Sequence, residues 1–110
     1  MLRSEFAKKV VELMKEKGDV FYSAVKNMTA TSGYFTALRV LGVKYIDAKK
    51  YAIMNLIADT LRIAYAFGMS QDAIEKHLKE LEDLYVIRPD YEAIYKEILK
   101  YIEIVERPIK

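Results

Sequence analysis

A long apolar stretch near the middle of the chain constrains the fold more than any other feature. Asp47 can cap a helix here that reaches Phe67, and Gly68 can end it. This helix is apolar on nearly all sides, which is typical of a central, buried helix. A membrane span is the competing interpretation of such a run. Four polar or charged side chains inside the run disfavour the span: Asn55, Asp59, Thr60 and Arg62.

Capping residues and helix breakers divide the rest of the chain into further helices. Ser4 and Asp19 are candidate N-caps, and Gly18 is a candidate stop between them. A third helix is predicted from about Tyr34 to Leu41. Ser70 and Asp90 can cap the last two helices, which Pro89 separates. The predicted core, besides the long helix, consists of Phe6, Val10, Leu13, Met14, Phe21, Ala24, Val25, Met28, Ile74, Leu78, Leu81, Tyr85, Tyr91, Ile94, Ile98, Tyr101, Ile102 and Val105.

The pattern therefore predicts an all-α fold. No alternation typical of a strand runs longer than four residues. A chain of 110 residues suits one domain, over residues 1–110. We expect a compact bundle of five to six helices around the long central helix. The N-terminal residues enter a helix pattern without a hydrophobic signal core, so the expected compartment is the cytoplasm.

Composition excludes several classes of chemistry. The chain has no cysteine and a single histidine, His77, so thiolate zinc sites, cysteine nucleophiles and two-histidine metal sites are excluded. We expect His77 to be an exposed surface residue, and we expect no metal, cofactor or small-molecule substrate. Many Lys and Glu residues with few Asn, Gln and Cys also indicate a hyperthermophilic source.

The net charge of +2 hides an uneven distribution. Residues 1–50 contain ten Lys or Arg and five Asp or Glu, a net charge of +5, whereas residues 71–110 contain seven and ten, a net charge of −3. Opposite net charges on the two halves permit head-to-tail contact between copies of the chain. The alternative is that both halves face solvent.

The basic section between Val20 and Tyr51 gives the candidate site. Cations interleaved with aromatic side chains can hold a phosphate backbone and stack unpaired bases. Lys49 and Lys50 also follow Asp47 closely, where a positive charge is unfavourable with respect to the helix dipole, which suggests a role other than stability. The alternative is a solvated surface over an aromatic core. The candidate nucleic-acid-binding residues are Lys26, Arg39, Lys44, Lys49 and Lys50.

Two further patterns have a structural and a functional interpretation. Asn55, Asp59 and Arg62 lie on one helix stripe, which indicates either a contact line for a partner or an ion pair with an amide beside it. Residues 70–84 follow Gly68 and resemble the second helix of a helix-turn-helix DNA-binding regulator. That helix is net acidic, which is wrong for an element that enters a polyanion.

The stretch from Gly33 to Gly68 resembles the core of the small subunits of archaeal type I-A CRISPR interference (Cascade) complexes. The similar residues are Gly33-Tyr34, Ala37-Leu38-Arg39-Val40-Leu41, Tyr45-Ile46-Asp47 and the long apolar helix through Ala58, Leu61 and Arg62. The resemblance covers about a third of the chain and rests on loose helical patterns.

This resemblance implies a non-enzymatic role in antiviral defence. Small subunits of this kind pack side by side in several copies and support the R-loop of crRNA and target DNA through basic surfaces. The implied partners are other Cascade subunits, further copies of the chain, crRNA and target DNA, and no membrane. The alternatives are the helix-turn-helix regulator and a helical scaffold that binds only protein.

Overall fold

The computed structural model describes residues 1–29 and 45–107, and of residues 45–51 only the helical backbone. Within these ranges the chain forms five helices and no strand. They are α1 (Arg3–Lys17), α2 (Asp19–Thr29), α3 (Tyr45–Phe67), α4 (Gln71–Tyr85) and α5 (Tyr91–Glu106). The all-α prediction is therefore confirmed for the described residues. The predicted helix from Tyr34 to Leu41 lies outside them.

Apolar residues at helical spacing on each helix build one core. The fully buried side chains include Phe6 of α1, Phe21 of α2, Leu61 of α3, Leu78 of α4 and Ile98 of α5. Burying a side chain of this kind stabilises a fold by about 1.5–3 kcal/mol relative to leaving it exposed. The sequence-predicted core is largely confirmed.

Two apolar predictions need correction. Tyr85 is 39% exposed rather than inward, because it is the last residue of α4 and the chain turns away directly after it. On α3, Ile57, Ala58 and Leu61 are fully buried but Phe67 is 80% exposed. Burial on α3 is thus confined to one face in the described part of the chain, and a central position for this helix stays a prediction.

Three predicted helix starts differ from the structure. α1 begins at Arg3 rather than after Ser4, because Phe6 N–H already bonds the carbonyl of Leu2. Asp19 lies inside α2, since the carbonyl of Gly18 accepts the first helical bonds. Asp47 lies inside α3, which begins two residues earlier at Tyr45.

The other predicted boundaries that fall on described residues are confirmed. Ser70 Oγ accepts a hydrogen bond from Ala73 N at 3.2 Å, and Asp90 Oδ1 accepts one from Ala93 N at 3.0 Å, as N-caps do. Gly18 and Gly68 follow helices with φ of 54° and 64°, a left-handed region that glycine adopts without steric cost.

Candidate nucleic-acid interface

The structure describes the five candidate cations unequally. Lys26 is exposed on α2, one turn before the helix ends. Residues 49 and 50 lie on the helical backbone of α3. Arg39 and Lys44 lie outside the described residues. The site can therefore be built only from Lys26 and the two backbone positions on α3.

Helices α2 and α3 pack side by side and run in opposite directions. Tyr65 near the end of α3 donates a hydrogen bond to Asp19 Oδ1, at the start of α2, over 2.9 Å. One turn earlier on α3, Arg62 lies beside Tyr22, which is further along α2. The end of α2 therefore points to the same end of the molecule as the start of α3.

This antiparallel arrangement relates Lys26 to residues 49 and 50. With Asp19 opposite Tyr65, Lys26 stands level with Ala58, and residues 49 and 50 lie about 12–14 Å further along α3 at about 1.5 Å per residue. Lys26 is therefore level with the middle of α3, and residues 49 and 50 lie beyond the level at which α2 ends, toward the start of α3.

The helix-dipole argument for Lys49 and Lys50 needs correction. Because α3 begins at Tyr45, these residues occupy its fifth and sixth positions rather than the turn after a cap at Asp47. The dipole acts mainly within the first turn. Their unfavourable position is weaker than the sequence suggested, so the site rests on charge and placement.

The interleaved aromatic side chains are not equally available. Phe21 is fully buried, so it belongs to the core and offers no ring for stacking. Tyr22 is partly exposed, and its ring centroid lies 5.8 Å from that of Tyr65. The structural interpretation, an aromatic core, therefore holds for Phe21, whereas Tyr22 and Tyr65 line the surface between α2 and α3.

The stripe on α3 contains the ion pair that the sequence allowed. Arg62 Nη2 lies 2.6 Å from Asp59 Oδ1, and Arg62 Nε lies 3.1 Å from the same oxygen. The hydrogen bond to Asp59 raises the pKa of Arg62 above its ordinary value. Asn55 Oδ1 is buried and has no hydrogen-bond partner among the described residues. The pair is neutral as a unit and adds no net positive charge to the α2–α3 surface.

Some of the opposite charges of the two halves form ion pairs with each other inside the molecule. Arg3 of α1 binds Glu82 of α4 at 2.9 Å, and Lys17 of α1 binds Glu106 of α5 at 3.0 Å. Residues 1–29 carry a net charge of only +2, with six cations and four acidic residues, whereas residues 30–50 carry +3, with four cations and Asp47. The larger share of the net positive charge of residues 1–50 therefore lies in residues 30–50.

A cluster of three side chains joins α1, α4 and α5, and we call Arg3, Glu82 and Tyr91 the clasp. Arg3 Nη1 and the Tyr91 hydroxyl both donate to Glu82 Oε2, at 2.9 and 2.7 Å. Burial alone would raise the pKa of Glu82, but these two hydrogen bonds, together with the positive charges of Arg3 and Arg88, outweigh it and hold the pKa below its ordinary value. Burial, followed by the bond to Glu82, raises the pKa of Tyr91. Nothing in the sequence pattern indicates contacts between residues 79 positions apart.

The alternative DNA-binding element, residues 70–84, forms α4 after a three-residue connection from α3. Its inner side is held by Ile74 and Leu78, both fully buried. Its exposed side carries Asp72, Lys76, His77, Lys79, Glu80 and Asp83. The exposure of His77 is as predicted, and its Nδ1 lies 3.5 Å from Glu80 Oε2.

A shallow cleft of about 270 Å³ lies between the start of α1 and α4. Its lining alternates in charge, with Arg3, Lys76 and Lys79 against Asp72 and Glu75. The mixed lining gives the cleft no single charge preference. Within residues 1–29 and 45–107, no group of acidic or histidine side chains could hold a metal ion, and no helix is long and apolar enough to cross a membrane.

Comparison of the chain with protein-family models, with curated proteins and with solved structures gives no match.

Proposed function

We propose that this protein is a non-catalytic, nucleic-acid-binding small subunit of a type I-A CRISPR Cascade effector. In this proposal several copies pack side by side in the cytoplasm and stabilise the crRNA–target DNA R-loop. The long helix α3 is the centre of a bundle of five to six helices. The contacts with nucleic acid come from Lys26, Arg39, Lys44, Lys49 and Lys50.

One observation supports this site more than any other. Lys26 lies in the last turn of α2, the backbone positions 49 and 50 lie about 12–14 Å away toward the start of the adjacent α3, and residues 30–50 carry a net charge of +3. Clustered cations neutralise neighbouring phosphates and release their counterions, which gives binding without sequence preference. Five such cations predict a slope of log affinity against log salt of at most about −3.5 for a single strand.

The helix-turn-helix alternative has one observation in its favour, the capped helix α4 after a short connection. The exposed carboxylates on α4 count against it, because Asp72, Glu80 and Asp83 would approach a polyanion. The two proposals use different lysines, so one pair of variants separates them.

The test compares two charge-reversed variants of equal charge change. Lys49→Glu with Lys50→Glu should weaken binding of fluorescently labelled single-stranded DNA or RNA and reduce the magnitude of the salt slope by about 1.4. Lys76→Glu with Lys79→Glu, on α4, should leave binding nearly unchanged. Fluorescence anisotropy between 50 and 200 mM salt measures both, and circular dichroism checks that both variants are folded.

The outcomes separate the candidates. Loss of binding only in the Lys76 and Lys79 variant, with preference for one DNA sequence, would favour the helix-turn-helix regulator. Equal losses in both variants would show that only total charge matters and would remove the proposed site. Wild-type protein that binds no nucleic acid at 50 mM salt would favour a scaffold that binds only protein.

A further inference from the structure

We draw no further inference here: the strongest candidate, the surface patch between α2 and α3 formed by the rings of Tyr22 and Tyr65, carries nothing because the charged groups beside it, Asp19 and the Asp59–Arg62 pair, supply no net positive charge for a polyanion and nothing in the structure shows what covers the rings.

Discussion

The clasp predicts a specific loss of stability when the charge of Glu82 is removed. Glu82→Gln keeps the shape of the side chain but replaces a carboxylate that accepts from both Arg3 and Tyr91. The side chain of Glu82 is 15% exposed and that of Arg3 is 29% exposed, so water cannot fully replace the lost partner. Hydrogen bonds to charged groups contribute about 1.5–3 kcal/mol, and the remaining exposure reduces this to about 1–2 kcal/mol.

Urea unfolding followed by circular dichroism measures this change in the free energy of unfolding. Thermal unfolding should show a Tm lower by roughly 4–8 °C for each kcal/mol lost in a domain of this size. Asp83→Asn is the matched control, because it removes the same charge from the neighbouring, exposed position on α4. If Glu82→Gln and Asp83→Asn lower the free energy of unfolding equally, the clasp adds nothing beyond surface charge and the reasoning fails.

The clasp also predicts how stability depends on pH. Because folding lowers the pKa of Glu82, its contribution is present above the ordinary value of 4.5 and is lost as pH falls through the lowered pKa. Folding raises the pKa of Tyr91, so its contribution is present below the ordinary value of 10.0 and is lost as pH rises above it. Glu82→Gln should flatten the acid limb, measured as the free energy of unfolding against pH. An unchanged acid limb would contradict the assignment.

Two backbone predictions follow from the positive φ values. Val86→Gly should raise the free energy of unfolding by about 0.5–1 kcal/mol, because the relief of about 1–2 kcal/mol of backbone strain at φ 51° exceeds the entropic cost of glycine. Urea titration measures this change, and a lower unfolding midpoint in the variant would contradict it. Gly18→Ala should lower it by about 1 kcal/mol or more, because alanine is strained at φ 54° even though its Cβ would lie 3.8 Å from the Tyr65 hydroxyl; an unchanged Tm would refute the strain argument.

Local features of this fold could be predicted from sequence because they depend on neighbours along the chain. The stops at Gly18 and Gly68 and the caps at Ser70 and Asp90 each involve a glycine or a side chain that acts on the adjacent helix. Helical spacing was similarly sufficient for most core positions, with Tyr85 at the end of α4 as an exception. The predicted N-cap at Asp19 was wrong because the backbone carbonyl of Gly18 accepts the first helical bonds of α2. The carboxylate of Asp19 instead accepts a hydrogen bond from the Tyr65 hydroxyl.

The candidate site could be predicted only in part, because its arrangement depends on helix packing. The sequence showed which positions carry lysine. It did not show that α2 and α3 pack antiparallel, which sets the distance between Lys26 and residues 49 and 50. The clasp was equally invisible, since Arg3 and Glu82 are 79 residues apart and neither belongs to a motif. Val86 gave no signal at all, because a valine after a helix says nothing of a left-handed backbone until the turn is seen.

The ion pairs within the fold change how contact between copies should depend on salt. The sequence suggested that the basic half of one copy attracts the acidic half of another. The ion pairs Arg3–Glu82 and Lys17–Glu106, however, already neutralise some of these charges within one chain. The remaining attraction between copies through opposite charge is therefore weak and should be lost by 500 mM salt, where nucleic-acid binding should also fall steeply. Association of copies that persists at 500 mM salt, measured by sedimentation equilibrium, would contradict this reasoning and show that apolar surface rather than charge joins them.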